Sequence, residues 1–323
     1  MKVEPALIEG TVELRDGRKI GYAEYGSPNG LPVLWFHGTP GARGQVPPVA
    51  RTAAAERGMR IIAVERPGTG GSTRFQHPSF LASTDDIRQF ADSLKLDRFG
   101  IVGLSGGGPY VLACAYAMPE RVVAGIVLGG VAPSRGEEAA AGGIVGILPR
   151  FELLLTLVRD PLRFGLTAAA RSLRPIGEQT MFLYMLTTPE GDRRVFRRPE
   201  MRAMFLDDLN TAARKGLGAA VYDMLLFARE WGFLLRDIRV PIRFWHGDAD
   251  HIVPLAHGEH QAALVADSEL RVRHGESHLG NLDASEEFLD VILSLWPAAT
   301  PAEPDVATPV EPDIAPAAAS ETS

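Results

Sequence analysis

Short apolar runs and amphipathic stretches alternate along most of this chain. VLWFHG (Val33–Gly38), RIIAVERPG (Arg60–Gly68), FGIVGLS (Phe99–Ser105) and VAGIVLGG (Val123–Gly130) are brief, rich in branched residues and closed by Gly, Pro or Ser. Such runs read as buried strands, because a buried helix needs a longer stretch without those stops. Residues 46–58, 79–95 and 106–122, lying between them, carry helical spacing. Strands alternating with helices predict a mostly parallel sheet covered on both faces. Upstream, TVELRDGRKIGYAEYG alternates apolar and polar positions around Asp16-Gly17, a turn pair suited to positive φ, which predicts a hairpin.

After Pro133 the pattern changes. From Ser134 to about Arg236 it is mostly helical, through FELLLTLVRDPLRFGL, GEQTMFLYMLTT, EMRAMFLDDLNTAARKG and AAVYDMLLFAREWGFLL. The sheet signal resumes at PIRFWHGDADHIVP and ELRVRHG, and NLDASEEFLDVILSLW reads as a closing amphipathic helix. The expected organisation is an α/β core in two parts, residues 1–133 and 237–297, around a helical insertion at 134–236. Residues 298–323 are Pro, Ala and acid with almost nothing large and apolar, so disorder is expected there.

Composition narrows the function classes. The chain has 323 residues, 46% hydrophobic and 23% charged, which is ordinary for a protein with a sizeable core. Its net charge of −7 owes much to Glu303, Asp305, Glu311, Asp313 and Glu321, and no basic footprint for nucleic acid is present. Cys114 is the single cysteine, which excludes an internal disulfide and a cysteine-built zinc site. The first residues are too charged for a secretory signal, and no run reaches the ~18 apolar residues of a membrane span. A cytoplasmic protein acting on a small molecule is expected; the composition leaves the oligomeric state open.

The candidate chemistry begins where Phe99–Ser105 turns into a helix. Gly103-Leu104-Ser105-Gly106-Gly107 matches G-x-S-x-G at a strand-to-helix junction. Glycines on both sides permit a turn tight enough to expose the hydroxyl at a helix N-terminus, where the dipole favours negative charge. The plainer alternative is a serine N-cap in a glycine-rich turn. A nucleophilic serine needs a base and an orienting acid, and both candidates lie downstream: Asp250 ends the strand IRFWHGDAD, and His278 lies in the loop GESHLGN.

These residues resemble the α/β-hydrolase family over Gly10 to Trp296. The resemblance rests on the elbow, His37-Gly38-Thr39-Pro40-Gly41, Arg66-Pro67-Gly68-Thr69-Gly70-Gly71-Ser72, Asp250 with its following Ile-Val-Pro, and His278. It implies a central sheet flanked by helices, with the insertion as a cap. It implies that Ser105 attacks, His278 shuttles the proton and Asp250 holds the imidazolium, while the backbone N–H groups of Thr39 and Gly106 form an oxyanion hole. No cofactor and no metal are implied. The activity expected is cleavage of carboxylic esters through an acyl-enzyme. Amide or C–C hydrolysis, perhydrolysis, or a non-catalytic ligand-binding member of the fold are the alternatives.

Rival residues exist. Asp248 competes with Asp250, His274 competes with His278 from a strand end, and His37 reads as a turn-stabilising side chain. His246, Asp248, Asp250 and His251 invite a metal reading, but alternate strand residues face opposite sides. GTGGS has the look of a phosphate cradle yet lacks the P-loop Lys, so it reads as a turn. Cys114 reads as core packing. In the insertion, Met181, Met185, Met201, Met204 and Met224, with Phe182, Tyr184, Phe205, Tyr222 and Phe227, suit an apolar substrate site or simply core packing. Arg193, Arg194, Arg197 and Arg198 read as a solvated face rather than an attractor of acidic substrates. Ser rather than Asp at the elbow sets aside dehalogenase and epoxide-hydrolase chemistry. HGTPG and GLSGGG lack the glycine and tryptophan pattern of proline-releasing aminopeptidases, and Lys215 alone gives poor support to a hydroxynitrile lyase.

Overall fold

A computed structural model of the chain describes residues 4–140, 142–143, 145–173, 179 and 187–297. Among them, eight strands form one sheet: β1 (Ile8–Glu13), β2 (Lys19–Gly26), β3 (Leu31–Phe36), β4 (Met59–Val64), β5 (Phe99–Leu104), β6 (Val122–Leu128), β7 (Ile242–Gly247) and β8 (Ser268–Arg273). Their spatial order is β1-β2-β4-β3-β5-β6-β7-β8. The pairs β1–β2 and β2–β4 are antiparallel and every other pair is parallel. The hairpin turns at Asp16-Gly17, where Gly17 takes φ +82° and Asp16 Oδ1 accepts the Arg18 N–H at 3.0 Å.

Helices cover both faces, and that is why the central strands are continuously apolar rather than alternating. β5 is buried at every position. One face packs against α1 (Pro48–Glu56) and α9 (Ser285–Ser294), with Ala50, Ala53, Phe288 and Ile292 among the buried contacts. The other packs against α2 (Thr84–Ser93), α3 (Gly108–Ala117) and α8 (Leu255–Leu264). Fully burying one side chain the size of Phe288 or Ile292 contributes about 1.5–3 kcal/mol, so these faces supply most of the driving force. The sequence pattern did not single out α8, whose LAHGEHQAAL is weakly amphipathic.

The topology creates one crevice. Neighbouring β3 and β5 send their chains to opposite faces, into α1 and α3, so the loops beyond their carboxyl ends diverge. Such a switch point leaves an opening at the strand ends where ligands bind in open α/β sheets. Thr39 follows one of these strands and Ser105 the other.

Between β6 and β7 the described chain is helical, with α4 (Glu152–Leu173), α5 (Glu190–Arg197), α6 (Pro199–Ala212) and α7 (Gly218–Phe227). Val195, Phe196, Met201, Met204 and Phe205 join the apolar cluster of α1 and α9, and Leu226 and Phe227 join the opposite one. For Met201, Met204 and Phe205, core packing is therefore the right reading. Met181, Phe182, Tyr184 and Met185 lie outside the described residues, as does the tail at 298–323. Among the described residues no helix is long and apolar enough to cross a membrane.

Candidate active site

Ser105 takes φ +52°, a left-handed conformation that costs a residue with a side chain roughly 1–2 kcal/mol. The surrounding glycines explain how the turn is built. A Cβ on Gly103 would lie 2.5 Å from the Gly107 carbonyl oxygen, and one on Gly107 would overlap that of Phe36. A single 3-10 turn, Ser105–Gly107, leads into α3, whose N-cap is Gly107. Ser105 is thus not the helix cap, and the capping alternative falls away.

Asp250 sits in the turn three residues past β7, which ends at Gly247 and not, as the pattern suggested, at the aspartate itself. Its Oδ1 accepts the N–H groups of Ile252 and Val253, both at 2.9 Å, and its Oδ2 accepts His278 Nδ1–H at 2.7 Å. Burial opposes its ionisation, but the His278 hydrogen bond and charge and the Val253 N–H outweigh that and hold the carboxyl below its ordinary range. An ionised carboxylate only accepts, so His278 carries its proton on Nδ1 and leaves the Nε2 lone pair as the basic one.

The rivals sort themselves out. Asp248 and His274 pair with each other at 2.9 Å on the surface, where the His274 side chain is 86% exposed. His37 is buried, donates Nδ1–H to the Gly38 carbonyl at 2.8 Å and accepts the Arg66 N–H at 3.4 Å, and burial with Arg66 alongside lowers its pKa well below the usual imidazole value. It steadies the turn. His246 donates Nε2–H to the Val253 carbonyl at 2.8 Å, and burial likewise favours its neutral form. In the GTGGS loop the Gly71 N–H binds the buried Glu65 carboxylate at 2.6 Å, a partner that would repel phosphate. Arg193 and Arg197 pair with Glu190, Arg194 with Glu276 and Arg198 with Asp283, so the arginines are engaged within the fold. Cys114 is buried.

Thr39 and Gly106 converge. A Cβ on Gly106 would overlap Thr39 Oγ1 and lie 2.8 Å from Phe227 Cζ of α7, so elbow, Thr39 loop and insertion meet at one point. Thr39 Oγ1 donates to Asp223 Oδ2 at 2.7 Å and accepts from Arg66 Nη2 at 2.7 Å. Arg66 is the organiser that sequence reasoning missed. It pairs with Asp223 at 2.8 Å, donates to the Gly38 carbonyl at 2.8 Å and also reaches the His37 carbonyl. The Gly38–Thr39 peptide is trans, so holding its carbonyl on Arg66 turns the Thr39 N–H to the opposite side. Asp192, Asp208 and Asp223 were missed as well. The usable signal was an acid inside an apolar helical run such as AAVYDMLLF, since a charge buried there needs partners.

Asp208 of α6 is fully buried and its Oδ2 accepts the Ala42 N–H at 2.9 Å. Burial pushes its carboxyl up to about 7, against the pull of the Ala42 and Gly44 N–H groups. The folded state therefore keeps a proton between about pH 4 and pH 7 that the unfolded chain has released, and stability declines as pH rises through that window. Relative to Asp208→Asn, the wild type is expected to lose up to about 4 kcal/mol from pH 4 to pH 7. Urea denaturation of both proteins at the two pH values checks this; parallel stability–pH curves would refute it.

A family-wide sequence profile for the alpha/beta hydrolase fold matches residues 32–285, and the chain belongs to that family. Among curated relatives, a proline iminopeptidase of Neisseria gonorrhoeae is 32% identical over 159 residues, covering 46% of this chain and 49% of that protein. The chain thus spans about half the length of that relative. A non-heme chloroperoxidase of Streptomyces lividans is 26% identical over 293 residues, 87% of this chain and 96% of that one. Among solved structures, an esterase from Exiguobacterium antarcticum superposes with a TM-score of 0.64 at 21% identity, over 89% of this chain and 98% of that one, and shares the fold.

Proposed function

We propose that this protein is a serine hydrolase that cleaves carboxylic esters of small or medium apolar substrates through an acyl-enzyme. Ser105 is the nucleophile, His278 the general base and then acid, Asp250 its orienting partner, and the N–H groups of Thr39 and Gly106 the oxyanion donors. The observation that carries this reading is the buried 2.7 Å hydrogen bond from His278 to Asp250, at the strand ends where a left-handed serine also stands. In the first half-reaction the Ser105 oxygen bonds to the acyl carbon as its proton passes to His278 Nε2. The tetrahedral intermediate then expels the alcohol, which takes that proton. Water repeats the sequence, releasing the acid and restoring Ser105. Phe227 beside the elbow offers an apolar wall for the acyl or alkyl group.

An aminopeptidase needs a carboxylate available for the substrate's ammonium. The four buried carboxylates described in the insertion, Glu138, Asp192, Asp208 and Asp223, each already accept hydrogen bonds from protein donors. That engagement favours the ester reading over the activity named for the iminopeptidase relatives. The near full-length likeness to a chloroperoxidase supports a second reading, in which hydrogen peroxide replaces water and the acyl group leaves as a peracid.

A fluorophosphonate probe followed by peptide mass spectrometry tests the proposal. Stoichiometric labelling on Ser105, blocked by prior heating, is the expected result; an unlabelled folded protein would point to a non-catalytic binder. Steady-state assays on p-nitrophenyl esters and amides, with and without peroxide, then separate the acyl acceptors and leaving groups.

A further inference from the structure

We propose that Asp192, in α5 of the insertion, is a positioning residue for catalysis that holds the loop carrying the general base. This rests on the assignment of His278 as that base. One oxygen of Asp192, Oδ1, accepts from both neighbours of His278: the Ser277 hydroxyl and, at 2.7 Å, the Leu279 N–H. Asp192 and Ser277 are each 1% exposed. The backbone of α5 presses on the same loop, since a Cβ on Gly191 would lie 2.6 Å from the Ser277 nitrogen and 3.0 Å from Glu276 Cα. Arg194, one turn along, closes the contact with a 2.7 Å ion pair to Glu276. Glu276, Ser277 and Leu279 are thus tied to the insertion, while His278 between them is tied to Asp250 of the core.

A helix needed only as a roof has no reason to bury a carboxylate, because an apolar side chain would fill the space without the cost of desolvating a charge. The expense makes physical sense if the carboxylate fixes something. A ring held by Asp250 alone could still swing about that one bond; gripping the residues before and after it removes the swing. The arrangement recurs on the other catalytic loop, where Asp208 of α6 binds the Ala42 N–H and Asp223 of α7 binds the Thr39 hydroxyl and Arg66. Three successive helices of the insertion each lower one buried aspartate onto a loop that bears catalytic groups.

The test uses the full chain and p-nitrophenyl butyrate. Asp192→Ala is expected to lower kcat about 10- to 100-fold with KM within about threefold, because a loosened base fails in the transition state and not in binding. Asp192→Asn, which keeps an accepting oxygen, recovers kcat to within about fivefold of wild type. Ser277→Ala, a milder change that keeps the proposal testable should Asp192→Ala misfold, lowers kcat about three- to tenfold. Added to Asp192→Ala it costs little more, since both remove the same contact. A purely structural role predicts a lower melting temperature with kcat unchanged well below it. A folded Asp192→Ala or Ser277→Ala enzyme with kcat within twofold of wild type overturns the proposal. Absence of fluorophosphonate labelling in the wild type overturns the assignment of the site itself, whereas a labelled wild type beside fully active variants sinks only the role of Asp192.

Discussion

Replacing Ser105 by Ala is expected to reduce kcat for ester hydrolysis by about five to six orders of magnitude, leaving at most a residual rate about 10³–10⁴ above water. The residue is the only covalent participant in the scheme, and removing it disables His278 and Asp250 at the same time, because without it no acyl-enzyme exists for them to form or break down. The backbone donors remain and account for the residue of activity. Ser105→Gly separates chemistry from conformation. At φ +52° glycine relieves the strain that any Cβ incurs, so this variant is expected to be equally inactive yet about 1 kcal/mol more stable. Thermal denaturation alongside steady-state kinetics reads both effects. An active Ser105→Ala protein would end the hydrolase assignment.

Asp250→Asn is expected to lower kcat by about 10⁴-fold while leaving the fold intact. The reason lies in the asymmetry of the aspartate's partners. Oδ1 accepts two backbone N–H groups, from Ile252 and Val253, both at 2.9 Å, so the amide oxygen of an asparagine must occupy that side. Its NH2 then faces His278 Nδ1 and donates to it. The imidazole is driven into the tautomer with its proton on Nε2, where it cannot receive one from Ser105. Asp248→Asn serves as the control and is expected to stay within twofold of wild type, since Asp248 bonds to the exposed His274 and not to the site. Comparable losses in the two variants would show that the orienting acid is misassigned.

Much of this arrangement was legible before any coordinates. The β3, β4, β5 and β6 runs were readable because a strand covered on both faces must be apolar throughout and short. The elbow was readable because a turn that tight tolerates only glycine beside Ser105. The proposed triad was picked out by order and spacing, and the strand before it was read too long: β7 stops at Gly247, three residues before Asp250. A strand and the turn that follows it can carry the same apolar and polar letters. α8 escaped notice because His257, Gly258, Glu259 and His260 dilute its apolar face, although His257 and Gln261 are buried.

What the sequence by itself determined about this protein was its class of architecture, the conformation demanded at residue 105 and the three groups proposed here to relay a proton. Each of those follows from local chemistry: periodicity, the φ a glycine permits, and the donors and acceptors a side chain owns. Only the tertiary structure decided which charges are paired. Asp192, Asp208 and Arg66 look like ordinary surface charges in a linear chain, Asp223 alone stands in an apolar run, and the meaning of all four appears when partners 85, 166 and 157 residues away meet them in a buried space. Desolvation is a property of the assembled fold, so the ties between the insertion and the loops that bear the proposed catalytic groups could not be read until the elements had been packed.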